Sequence, residues 1–214
     1  MRARPGALSL SKGALLAVLL TAPLLASCSP APAAPPTPAT PPPMSSTPEL
    51  AAKKKAAGIE DCPGSDAYVA PVDGGLPDVT LPCLGGGRDV RLAGLRGRPM
   101  MINIWAQWCE PCRAESRFLS ETARGTDRDS LLIMGIDYSD PRPDYAIEFA
   151  QLVQWRYPQL ADPDLSLRAP LQIAGPPQTL FIRADGEIAY RHSGPFRSTA
   201  EITTLLQRHL GVDA

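Results

Sequence analysis

Trp105-Ala106-Gln107-Trp108-Cys109-Glu110-Pro111-Cys112-Arg113-Ala114-Glu115 is the stretch whose reading decides this chain. Leading into it, 99–105 is a short, almost continuous apolar run, suited to a central strand covered on both faces. Beyond it, 110–124 has helical composition and meets Gly125, which fits a C-cap. Cys109 and Cys112 therefore fall where a buried strand gives way to a helix, and unpaired N–H groups and the helix dipole there stabilise a thiolate. Cys109 is the expected nucleophile. Cys112 lies three residues on, about one helical turn away, so its sulfur can reach Cys109 and resolve a mixed disulfide. Pro111 falls in the first helical turn, where its missing N–H costs nothing. Half a zinc site could use the same Cys-x-x-Cys, but no second Cys pair or His pair of suitable spacing accompanies it.

Outward from this junction, 79–84 and 89–92 flank the triple glycine 85–87 and read as a small hairpin. The run 131–137 is a second buried strand, 144–155 an amphipathic helix and 164–171 a shorter one. Residues 179–183 and 187–191 flank Ala184-Asp185-Gly186, a hairpin turn, and Ser198 is placed to cap a final helix over 199–210. After the opening hairpin the order is β-α-β-α-β-β-α, which predicts an α/β fold with a mixed sheet.

The Trp-x-x-Trp-Cys context, together with Gly175-Pro176-Pro177-Gln178-Thr179 followed by Leu180-Phe181-Ile182, resembles the thioredoxin superfamily and within it the TlpA/ResA branch, from about Leu76 to the C-terminus. That resemblance implies a thioredoxin-like fold, a central mixed β-sheet flanked by helices, with the N-terminal β-hairpin as an extension. It also implies that Pro177, preceded by Pro176, is a cis-proline facing the cysteines, where an extended substrate segment can pair. An ordinary trans loop is the alternative. Trp108, Glu110, Pro111 and Pro176 would rim the substrate site. Gln178 departs from the family's common Thr, which bears on substrate preference and not on fold.

Asn103 occupies the strand position where thioredoxins carry a buried aspartate, and an amide cannot accept the second cysteine's proton. Glu115, three residues after Cys112, matches a glutamate that assists thiol chemistry in the ResA-like group. A solvated first-turn carboxylate, favoured by the helix dipole, is the other reading. Glu110, between the cysteines, disfavours a nearby thiolate and so favours the disulfide, which points to a reductant near the thioredoxin end of the scale, about −270 mV. His192 and His209 are isolated and read as structural, and Trp105, Phe118, Trp155 and Tyr157 as packing.

The N-terminus reads as an export signal over 1–27, with Arg2, Arg4 and Lys12 before the apolar run 14–25, too short to span a bilayer comfortably. Leu25-Ala26-Ser27-Cys28 resembles a bacterial lipobox, which implies lipidation of Cys28 and a lipoprotein on the extracytoplasmic face of the membrane; an ordinary signal peptide cut nearby, leaving a free thiol, is the other reading. Residues 28–58 form a linker rich in Pro and Ala, of which 29–48 is a semi-rigid stalk, and the thioredoxin-like domain spans 59–214, its core from about 76. Within that linker the run Lys53-Lys54-Lys55 is expected to be solvated.

Five cysteines are an odd number for an exported chain. With Cys28 lipidated and Cys109 paired with Cys112, Cys62 and Cys83 are expected to form a structural disulfide.

A net charge of −1 gives no basic footprint for nucleic acid. The partners expected are protein thiols and disulfides, a membrane thiol electron donor and, through the anchor, the membrane. No cofactor and no metal are expected. The resemblance implies a protein-disulfide reductase, with apocytochrome c cysteines as one substrate. A dithiol oxidase, a copper-handling thioredoxin-like protein and, less well matched, a peroxiredoxin are the alternatives.

Overall fold

The computed structural model describes residues 46–213. The export signal, Cys28 and the first part of the linker lie outside the described residues. Five strands form one sheet in the order β5-β4-β3-β6-β7: β3 (Met100–Trp105), β4 (Leu132–Tyr138), β5 (Gln159–Asp162), β6 (Gln178–Ile182) and β7 (Ile188–Ser193). β3, β4 and β5 run parallel, and β6 and β7 are antiparallel to their neighbours. All six residues of β3 are buried, because side chains on both of its faces meet a layer.

Two crossovers step the same way along the sheet, through α2 (Glu110–Gly125) and α3 (Pro143–Leu152). Right-handed crossovers therefore put both helices on one face. Leu119 of α2, Ala146 and Ile147 of α3 and Ile202 and Leu206 of α4 (Thr199–Leu210) share a core there with Met101, Trp105 and Phe181. On the other face Ile102, Ile104, Met134, Ile136 and Leu180 meet the hairpin of β1 (Thr80–Leu81) and β2 (Val90–Arg91), together with Leu167, Leu171 and Ile173. A thioredoxin-like architecture with a hairpin added at its N-terminal side results.

The structure corrects several expectations and adds a strand. The linker expected to reach residue 58 ends earlier: α1 (Pro48–Ala57) is capped by Thr47 and by Gly58 at φ 68, and it buries Leu50 and Ala57 in the helical-face core. The lysine run is not uniformly solvated. Lys54 is 4% exposed, and its Nζ donates to Asp61 Oδ1 at 2.9 Å and Gly86 O at 2.9 Å and lies 3.3 Å from Cys83 Sγ. No helix forms over 164–171, where Asp162 Oδ1 and Oδ2 capture the Ser166 and Leu167 N–H groups and Pro170 bars continuation. Finally, β5 carried no signal: four residues between Pro158 and Pro163 are too few to show a period, yet all four are buried.

Candidate active site

β3, the central strand, ends at Trp105, and a short loop turns the chain into α2. Cys109 is the N-cap of that helix, with its Sγ accepting the Cys112 N–H at 3.2 Å. A sulfur in this place receives the positive end of the helix dipole and one of its free amides. Cys109 and Cys112 are joined as a disulfide, with Cα atoms 5.3 Å apart; Cys112 is wholly buried and Cys109 is 4% exposed. Cys109 thus presents the outer sulfur and Cys112 the inner one. Glu110 and Pro111, between them, are exposed.

Glu115 is not a solvated first-turn carboxylate. It is fully buried, its Oε1 accepting from Asn103 Nδ2 at 3.0 Å and its Oε2 from the Phe196 N–H at 2.9 Å. Asn103 also donates to Thr179 Oγ1 at 3.0 Å, so β3, α2 and β6 meet in one polar knot behind Cys112. Burial pushes the Glu115 carboxyl up to about 7, against the opposing pull of the Phe196 amide and Asn103. A carboxyl of that strength, one turn along the helix from Cys112, is matched to taking a proton from a thiol near neutrality. The amide at 103, which cannot hold the proton itself, holds the acid that can.

On the far side of the pair, Pro176 and Pro177 are joined by a cis peptide bond, with Pro177 buried and Pro176 half-buried. These two prolines and Gln178 line an open groove of about 270 Å³ with Pro111, Gly194 and Pro195. Trp108, next to Cys109, is 52% exposed and donates from Nε1 to Ser139 O at 3.2 Å, whereas Trp105 is wholly buried. His192 lies opposite Thr179 and stacks on Phe196 with 4.3 Å between centroids, and burial lowers its pKa. Cys62 and Cys83 form a second disulfide, with Cα atoms 5.9 Å apart, under the hairpin.

The sequence reading passed over Thr179, Phe196 and two aspartates at the end of β4. Asp137 and Asp140 are only 2% and 3% exposed. Asp140 Oδ2 accepts the Gln107 N–H at 3.2 Å and its Oδ1 the Arg142 N–H at 2.9 Å. Two acids three apart, closing an apolar strand, were the available signal. Phe196 offered none, since it contributes a backbone amide.

A profile of the AhpC/TSA family matches residues 72–191, more than half of the chain. The chain is similar to the thiol:disulfide interchange protein DsbE of Pseudomonas fluorescens biotype C, 34% identical over 122 residues that cover 56% of this chain and 65% of the relative. With the DsbE of Escherichia coli strain K12 it shares 34% over 100 residues, 46% of this chain and 51% of the relative. The chain thus spans between about half and just under two thirds of these relatives' length. Among solved structures, a secreted Mycobacterium tuberculosis disulfide oxidoreductase homologous to E. coli DsbE superposes with a TM-score of 0.53 at 23% identity, over 61% of this chain and 96% of that one. At that identity the likeness is one of fold.

Proposed function

The chain belongs to the AhpC/TSA family, and from that membership and the Cys109–Cys112 junction we propose that it is an extracytoplasmic thiol-disulfide oxidoreductase that reduces protein disulfides. The observation that carries the reading is the position of Cys109: an N-cap sulfur, bonded to an inner partner that lies one turn from a buried acid titrating near neutrality. The names of the DsbE relatives support the same chemistry.

In the reduced protein the Cys109 thiolate attacks one sulfur of a substrate disulfide, forming a mixed disulfide and expelling the first substrate thiolate. Cys112 then gives its proton to Glu115 and attacks Cys109 Sγ, expelling the second substrate thiolate and closing the Cys109–Cys112 disulfide. Two electrons pass to the substrate, and a membrane thiol donor restores them. Pro177, Pro176, Pro111, Glu110 and Trp108 form the surface along which the substrate lies. Lipid at Cys28 holds the domain at the membrane, and the haem-binding cysteines of an apocytochrome c are one substrate of suitable chemistry.

Cys112→Ser tests the reading. Without the resolving sulfur the mixed disulfide on Cys109 persists, and mass spectrometry of the captured species in the native envelope names the partner. No captured protein, together with no insulin reduction by the intact chain, would sink the proposal. A measured potential near −120 mV, the strong-oxidant end, would reverse the direction of flux.

A further inference from the structure

The strand-end segment 137–140 touches the redox loop twice: Asp140 Oδ2 accepts the Gln107 N–H and Ser139 O accepts Trp108 Nε1. Ser139 is held at φ 55, left-handed backbone that a serine adopts only when its surroundings fix it. Its own N–H donates to Asp162 O at 2.9 Å on β5. Beside it, Asp137 lies in register with Trp105 on β3 and Ala161 on β5, nearly sealed from water, with Oδ1 unpartnered, three residues before the equally buried Asp140.

Two carboxyl groups held out of water, three residues apart and with no cation between them, resist ionising together. Asp140 uses both oxygens to accept backbone N–H groups, which marks it as the acceptor and Asp137 as the member that carries the proton. No cation neutralises the pair: among the described residues neither aspartate has an ion-pair partner. The charged groups on neighbouring elements are engaged elsewhere. Arg113 of α2 bonds Gln107 O and covers the Phe149 ring, Arg142 and Asp144 bind one another, Glu148 of α3 pairs with Lys53, and Asp162 takes the Ser166 and Leu167 amides. β3 and β6 contribute no charge.

We propose that Asp137 and Asp140 form a one-proton clasp that positions the redox loop, Asp137 donating to Asp140 while Asp140 fixes the Gln107 amide and, through it, Trp108 and Cys109. Burial, then the neighbouring Asp140 charge and hydrogen bond, keep the Asp137 carboxyl protonated well above the usual carboxylate range. When the proton leaves at high pH, the two like charges repel, Asp140 turns away and the Gln107 bond is lost. These aspartates touch no substrate and act through the loop. The inference rests on the redox reading, since the atom being positioned is its nucleophile.

The experiment is alkylation of the reduced intact chain by iodoacetamide across pH, read at Cys109 by mass spectrometry, alongside hydrogen exchange at the Gln107 amide. In the unaltered protein the Cys109 rate rises with its thiolate and then falls on the alkaline side, and Gln107 loses protection over the same range. Asp137→Asn keeps a donor that cannot be lost, so it retains the neutral rate and abolishes the fall. Asp140→Ala removes the acceptor and slows Cys109 at neutral pH by about tenfold, the loss of one charge-assisted hydrogen bond. Glu115→Gln leaves the alkaline fall in place, which separates this pair from the acid behind Cys112. An Asp137→Asn profile that follows the unaltered protein, or Gln107 protection indifferent to pH, overturns the clasp. The exchange measurement needs no substitution, so a variant that fails to fold does not decide the matter. A chain whose Cys109 and Cys112 do not cycle between dithiol and disulfide in glutathione buffers overturns the redox reading itself, a result distinct from an unchanged profile.

Discussion

At Glu115 a carboxyl is held where water cannot reach it, by two donors that favour its ionised form less than burial disfavours it. Its folded-state pKa, about 7, stands above the ordinary 4.5. The neutral acid therefore fits the fold at low pH, and the stability this confers is lost as pH rises through 7. The Glu115→Gln protein lacks that loss. Urea unfolding of the oxidised protein at pH 4.5 and pH 8 is expected to show a decline with pH that is larger in the parent by about 3 kcal/mol. Equal slopes would mean that the carboxyl is hydrated. In the reduced protein the same substitution is expected to remove an inflection near neutrality from the rate at which Cys112 closes a mixed disulfide, measured by quenched-flow with a peptide disulfide. Both effects follow from one placement, an acid buried beside a thiol whose proton must go somewhere.

Among the elements, α1 shows how a segment of polar composition becomes part of a core. Leu50 and Ala57 alone would anchor it weakly, and Lys54 supplies the rest by threading to Gly86 O and Asp61 Oδ1 beside the Cys62–Cys83 bridge. The first glycine of the triple beneath it is required by contact. Gly85 stands at φ 76, and a Cβ there would lie 2.8 Å from Lys54 Cβ and 3.1 Å from Leu50 O. Gly85→Ala is thus expected to cost about 2 kcal/mol and to lift α1, seen as faster proteolysis within 48–58. Lys54→Ala, which leaves Gly86 O without its donor, is expected to cost a similar amount, about 2 kcal/mol. Unchanged proteolysis in both variants would show that α1 is held by Leu50 and Ala57 alone.

For the whole molecule, the Cys62–Cys83 bridge ties the hairpin layer to the sheet, with Cys83 bridging to Leu160 on β5 and Cys62 Sγ 3.3 Å from Gln159 O. Replacing both by alanine frees a loop of 21 residues in the unfolded chain. The expected cost is about 3 kcal/mol, or roughly 5–10 °C in Tm by calorimetry, with Cys109 reactivity unaltered. A loss of redox activity instead would show that the hairpin layer shapes the site. The strand, turn and helix around Cys109, the closing hairpin of β6 and β7 and the final helix were legible because each rests on local chemistry: an apolar run, a proline in a first turn, a tight turn, a serine cap. The helical packing of α1 and the turns at 164–171 were not, because Lys54 and Asp162 are decided by partners distant in the chain or by competing side-chain bonds. The sequence by itself determined the strand-to-helix junction with the sulfur pair at its mouth, the closing hairpin and the final helix, since these are short-range consequences of residue type and spacing. Only the tertiary structure decided that Glu115 is buried on Asn103 and that Asp140 holds the Gln107 amide, because burial and contact between distant elements are properties of the packed chain.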